Sequence, residues 1–132
     1  MTGLSVRSLP SSDIKLKVGM KRSNGQMMIS IKVIKPVGYL DMLMLEKNAK
    51  KILTDSGGVQ KEAYIFKVPC ITLRENTEWV ETVEDGWNLL VGAESEKIVG
   101  MANDFEPKGE QRDVFGKGDA SGRIVKIIGG LQ

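Results

Sequence analysis

The stretch Lys51-Ile52-Leu53-Thr54-Asp55-Ser56-Gly57-Gly58-Val59-Gln60-Lys61-Glu62-Ala63 constrains the fold more than any other part of the chain. Lys51-Ile52-Leu53 reads as a short buried strand, and Val59, Ala63 and Phe66 recur at helical spacing, so two glycines fall at a strand-to-helix turn. The first N–H groups of a helix that opens in this way lack intrahelical partners, and the helix dipole is positive there. Glycine also lets an anion approach the main chain without meeting a Cβ. Ser56 either adds a hydroxyl donor or caps the helix. Glu62 lies one turn beyond Gly58 on the same face, too far along to oppose a phosphate and well placed to accept two hydrogen bonds from a sugar diol. A nucleotide diphosphate fits this arrangement, although a tight turn with a cap explains the local pattern without any ligand.

Around this turn strands and helices alternate. Ile31-Lys32-Val33-Ile34 reads as a strand, and Leu40, Leu43 and Met44 mark the inner face of a helix ending near Asn48. Lys51 to Thr54 form the next strand, followed by the glycine turn and a helix to Phe66. Cys70 to Leu73 make a third strand set off by Pro69, Glu78 to Val83 a short helix stopped by Gly86, and Asn88 to Val91 a fourth strand. Ile98, Met101, Ala102 and Phe105 then share a helix face, and Ile124, Ile127, Ile128 and Leu131 share another, with Asp119 placed to cap it. The pattern predicts an α/β fold, a partial Rossmann-like parallel sheet with flanking helices. In such sheets ligands sit beyond the carboxyl ends of the strands, where Ser56-Gly57-Gly58 falls.

The first thirty residues read differently. Residues 1–12 look like a loose tail, after which Ile14, Leu16, Val18 and Met20 alternate with lysines. Asn24-Gly25 offers a type I′ turn before Met27, Ile29, Ile31 and Val33 alternate again, so the local prediction is a β-hairpin. Residues 1–35 carry seven cations against Asp13 alone, a charge of +6 in a chain of net +2. Without interleaved aromatics or a binding module this favours a solvated strand face over a nucleic-acid contact. The 132 residues suit one domain, and 41% hydrophobic with 27% charged residues is ordinary for a globular protein. The lone Cys70 rules out an internal disulfide and reads as a buried strand residue, and the absence of histidine argues against zinc. No apolar run is long enough to span a membrane and no signal-peptide core opens the chain, so a cytoplasmic protein is expected.

The segment Thr54-Asp55-Ser56-Gly57-Gly58, with Gln60 and Glu62-Ala63 following, closely resembles the non-hydrolysing UDP-N-acetylglucosamine 2-epimerases. The likeness continues through Pro69-Cys70-Ile71-Thr72-Leu73-Arg74, Thr77-Glu78-Trp79-Val80-Glu81-Thr82-Val83, Gly86-Trp87-Asn88 and Phe115-Gly116-Lys117-Gly118-Asp119-Ala120-Ser121. It spans residues 31–128, whereas residues 1–30 carry no motif of that family and are expected to be an unmatched segment, with 31–132 a UDP-binding domain truncated at its start. The resemblance implies the C-terminal domain of a GT-B type fold, UDP or a UDP-sugar as ligand, homodimers and no cofactor. Its reaction inverts C2 of a UDP-amino sugar by eliminating UDP and adding it back on the other face.

The resemblance also distributes roles. Ser56, Gly57 and Gly58 would bind the diphosphate and Glu62 the ribose, while Val37 and Met42 match positions that line the uracil. Trp79 stands where an arginine is common, which leaves the sugar open and resembles the branch acting on UDP-2,3-diacetamido-2,3-dideoxy-glucuronate. Lys61 either restores some of that positive charge or is an exposed helix lysine. Gly116-Lys117-Gly118-Asp119 is either a second anion loop or a plain turn and cap. The family's catalytic carboxylates lie in an N-terminal domain, so no catalytic residue is assigned here and the chain alone is expected to be inactive. Three readings follow: half of an epimerase completed by a separately encoded N-terminal half, a UDP-binding remnant, or the C-terminal domain of a GT-B glycosyltransferase. Open strand edges left by the truncation predict marginal stability.

Overall fold

The computed structural model describes residues 2–7, 15–23 and 26–130. Its element order is β1 (Thr2–Arg7), β2 (Lys15–Ser23), β3 (Gln26–Ile34), α1 (Tyr39–Lys47), β4 (Lys51–Thr54), α2 (Gly57–Ile65), β5 (Cys70–Thr72), α3 (Val80–Glu84), β6 (Asn88–Leu90), α4 (Ser95–Asp104) and α5 (Ala120–Gly129). The six strands form one sheet in the order β3-β2-β1-β4-β5-β6. β1, β4, β5 and β6 run parallel, with Ser5 opposite Ile52, Ile52 opposite Cys70 and Cys70 opposite Asn88. The fold is the expected α/β arrangement, a partial Rossmann-like sheet with flanking helices.

Neighbouring side chains on a strand point to opposite faces, and β4 and β5 are buried on both. Ile52 and Cys70 pack on one side against Val59, Ala63 and Val68 of α2 and the turn after it. Leu53 and Ile71 pack on the other side with Val91 and Ala102, bringing α4 onto that face. Burial pushes the Cys70 thiol up to about 12, which makes it an inert core group. Lys51 is also buried, with its ammonium donating to the carbonyls of Ala102 and Asn103 at 3.2 and 3.1 Å, so it ties the start of β4 to the last turn of α4. The C-terminus of a helix is where a buried cation finds unpaired carbonyls.

Two expectations are corrected. Residues 2–7 are not tail but strand β1, held antiparallel to β2 and parallel to β4. Pairing on both sides supplies what six residues of weak local preference do not. Ile31-Lys32-Val33-Ile34 is indeed strand, yet it ends β3 at the far edge and pairs antiparallel with β2. The β2–β3 register, with Ser23 opposite Gln26, has the short connection of a hairpin, and a local pairing of that kind forms at small entropic cost. Its turn at Asn24-Gly25 lies outside the described residues. The edge of β4 that a truncated sheet would expose is thus occupied by β1, which leaves β3 and β6 as the outer strands of the sheet.

The helices show one correction and one surplus. In α1 the covered stripe is Met42 and Glu46, whereas Leu40 and Met44 are exposed. This nine-residue helix meets α2 along a single i, i+4 row, and its other apolar row faces outward. α5 carries the expected apolar face, but Ile124, Ile127 and Ile128 are all more than half exposed and no residue of the helix is buried. Among the described residues no helix is long and apolar enough to cross a membrane.

Candidate functional site

The carboxyl end of β4 leads through Asp55 and Ser56 directly into α2, whose first two residues are Gly57 and Gly58. Ser56 is the N-cap in extended backbone, and its side chain makes no capping bond. Its own N–H is taken by the Thr54 hydroxyl at 3.0 Å, which fixes the bend and leaves the Ser56 hydroxyl to point elsewhere. A Cβ at Gly58 would meet only the Ser56 hydroxyl, 3.9 Å away, so nothing of the protein fills the space over this peptide. No acidic residue lies in the first turn of α2, and the positive end of the helix dipole is not offset from within the helix.

Glu62 lies one turn along, half-buried, and accepts a hydrogen bond from the Tyr39 hydroxyl at 3.2 Å. The carboxylate beside it raises the Tyr39 phenol above its ordinary range, which keeps the hydroxyl a donor. Tyr39 opens α1, so this bond brings the start of α1 to Glu62, and Val37 lies two residues before it in the chain. Met42 is buried beneath α1 with 8% of its surface exposed. Tyr39 was missed in the sequence because its partner is 23 residues away; its only local sign is an aromatic at the start of a helix.

On the opposite side the segment 73–79 folds back over the first turn of α2. Trp79 donates its indole N–H to the Gly57 carbonyl at 2.9 Å. The ammonium of Lys61 sits 4.7 Å from the Trp79 ring centroid and 4.8 Å from that of Phe115, and the two rings meet edge to face at 5.6 Å. Lys61 is therefore neither loose nor fully exposed; it is a cation held over two aromatic faces beside the glycine turn. Phe115 also meets Tyr64 edge to face at 5.3 Å, which locates Gly116-Lys117-Gly118 just past this cluster. Gly116 and Gly118 have φ of 72° and 78°, the left-handed backbone that favours glycine.

Below the turn a buried polar network fixes the relative positions of these segments. The Gln60 side-chain oxygen accepts from the Thr77 hydroxyl at 2.6 Å and from the Asn88 amide at 3.2 Å. Asn88 in turn donates to Thr82 at 3.0 Å and accepts from Thr72 at 2.6 Å, and Thr82 donates to the Trp79 carbonyl at 2.6 Å. Gln60, Thr72, Thr82 and Asn88 are each at most 3% exposed, so every one of these bonds replaces water that is absent. One network joins α2, β5, α3 and β6 and sets Trp79 against Gly57. Among the described residues no group of three potential ligands stands close enough to hold a metal ion.

A family model described as UDP-N-acetylglucosamine 2-epimerase matches residues 9–129, reaching into the stretch that carries no recognised motif. A UDP-N-acetylglucosamine 2-epimerase homolog of Methanococcus maripaludis is 60% identical over 103 residues, covering 77% of this chain and 29% of its own length. The UDP-2,3-diacetamido-2,3-dideoxy-D-glucuronate 2-epimerase of Pseudomonas aeruginosa is 48% identical over 105 residues, 78% of this chain and 30% of that protein. Among solved structures, the UDP-GlcNAc 2-epimerase of Methanocaldococcus jannaschii in complex with UDP-GlcNAc and UDP superposes with a TM-score of 0.67 at 57% identity, covering 74% of this chain and 27% of that one. The chain thus spans 27–30% of the length of these relatives.

Proposed function

Because this chain belongs to the UDP-N-acetylglucosamine 2-epimerase family, we propose that it is the UDP-sugar-binding part of such an enzyme. The observation that carries the proposal is the first turn of α2, where Gly57 and Gly58 follow the end of β4, Ser56 makes no side-chain cap and the space over Gly58 is open. In this reading the amides and the Ser56 hydroxyl hold the diphosphate, Glu62 takes the ribose hydroxyls beside Tyr39, and Val37 forms the uracil wall with Met42, buried in the first turn of α1, behind it. Trp79 borders the sugar-proximal side. The M. jannaschii relative, solved with UDP-GlcNAc and UDP, supports the ligand class.

Chemically, such a turn serves a leaving group. When the bond from C1 to the diphosphate breaks, charge grows on the phosphate oxygens, and oriented N–H donors stabilise that charge without reorganising. Proton abstraction at C2 requires a base that none of the residues named here supplies. The reading therefore requires a second polypeptide segment, such as a separately encoded N-terminal half, with homodimerisation and C2 epimerisation belonging to the assembled enzyme. In this reading the nucleotide-binding unit begins within residues 31–132, and β1, β2 and the first part of β3 extend its sheet. The lone buried thiol of Cys70 is in keeping with a reducing, cytoplasmic setting. A chain that binds UDP and completes no enzyme is the second reading, favoured by the pairing of β1 on β4, which covers that edge of β4 within this chain.

Calorimetric titration with UDP tests the assignment of Glu62. The wild-type chain is expected to bind, and Glu62→Ala to bind about tenfold more weakly through loss of two hydrogen bonds to a charged acceptor. Equal affinities would remove Glu62 from the ribose.

A further inference from the structure

The carboxylate of Glu78 rests against the first residue of α2. A Cβ built at Gly57 would lie 3.4 Å from one carboxylate oxygen of Glu78 and 3.5 Å from the other. The same carboxylate receives Arg74 Nη1 at 3.2 and 3.3 Å, and Arg74 Nη2 reaches Asn76 at 3.3 Å. A negative group paired with a guanidinium therefore stands beside the first residue of α2, close to where the positive end of the helix would draw a phosphate. Both side chains reach solvent, at 35% for Arg74 and 58% for Glu78, so the pair is free to part. Glu78 is held below the usual carboxylate range, first by its own backbone N–H and then by Arg74, and it is ionised when a nucleotide arrives.

We propose that Arg74 is a further ligand of the diphosphate and that Glu78 is its resident counterion, occupying the anion position until the nucleotide displaces it. The inference rests on the UDP-binding reading above and deepens it. Arg74 follows β5 and Gly57 follows β4, neighbouring strands of the parallel sheet, so the two groups flank one crevice at the carboxyl ends of the strands. Exchange needs no backbone movement, only rotation of the exposed Glu78 side chain away from Gly57. An arginine paired in this way stays ordered and pays less entropy when it engages a phosphate than a free one would. The cost is a like charge that the diphosphate must evict.

Titrations of UDP and of uridine into the full chain and two variants test this. Glu78→Gln is expected to raise UDP affinity about fivefold, because a negative charge within a few ångströms of the phosphates is removed. Arg74→Ala is expected to lower it about tenfold. Uridine, which lacks phosphate, is expected to bind all three proteins equally. UDP affinity that is unchanged or weaker in Glu78→Gln, unchanged in Arg74→Ala, or altered in parallel with that of uridine would overturn the exchange while leaving the nucleotide site standing. No binding of UDP by the wild-type chain would overturn the site itself, and the exchange with it.

Discussion

Gly58 separates what the glycine turn does for the fold from what it does for a ligand. Its backbone lies outside the left-handed region and a Cβ there would meet only a hydroxyl at 3.9 Å. Helix formation by itself favours alanine at this position. Gly58→Ala is therefore expected to leave the fold intact and gain about 0.5 kcal/mol in thermal denaturation, while UDP affinity falls about tenfold because the methyl group stands where the diphosphate approaches. Loss of stability in step with affinity would mean that the glycine serves packing. The turn at Ser56, Gly57 and Gly58, with Glu62 one turn along α2, was legible in the sequence because its signal is local, a change from strand to helix period with small residues at the junction; the ligand roles proposed for these residues are what the UDP titrations test. Tyr39, Arg74 and Gln60 were not legible, since each acquires its meaning from another segment: Tyr39 from Glu62, Arg74 from Glu78 beside Gly57, and Gln60 from Thr77 and Asn88.

Helix ends and the strap that follows α4 decide how the elements hold together. α2 closes with bonds from Lys67 N–H to the Tyr64 carbonyl and from Val68 N–H to the Ala63 carbonyl, with Lys67 at φ 57° where glycine is usual. α3 closes in the same way over Gly86, through bonds to Val83 and Thr82. The irregular segment 105–119 is strapped across both ends. Asp85 accepts from the Tyr64 hydroxyl and from the Arg112 backbone and side chain, the same Tyr64 oxygen lies 2.9 Å from the Arg112 carbonyl so that its one proton is shared between two acceptors, and the Trp87 indole donates to the Gly109 carbonyl at 2.9 Å. This strap carries Phe115 to Trp79 and Lys61. The Tyr64 hydroxyl first, and then Arg112, hold the Asp85 carboxyl below its usual range. A carboxyl depressed in the folded state stabilises above its unfolded value, about 3.9, and that contribution is lost as pH falls through the folded value. Asp85→Asn is accordingly expected to lower the melting temperature at pH 7. Its melting temperature is also expected to change less than that of the wild type when the pH is taken below about 4. Parallel pH profiles for the two proteins would show that the strap does not depend on this charge.

At the scale of the whole molecule the sheet is a composite. Its parallel part, β4 to β6 with α2 and α4 on opposite faces, followed from alternation and from the length of the apolar runs. The places of β1 and β3 did not, because β1 is specified by neighbours on both sides and β3 by its hairpin partner, not by its own pattern. α5 shows the converse, an apolar row legible as a helix face that the described residues leave uncovered. With β1 on β4, the strands that flank the glycine turn are all paired within this chain, so the nucleotide site proposed above is expected to bind UDP without another segment. The most direct test of that claim is a calorimetric comparison of UDP and uridine on the isolated 132-residue chain. Saturable binding of one UDP per chain, with uridine at least about tenfold weaker, is the outcome expected if the first turn of α2 grips the diphosphate. Equal affinity for the two, or no binding of UDP, would contradict it.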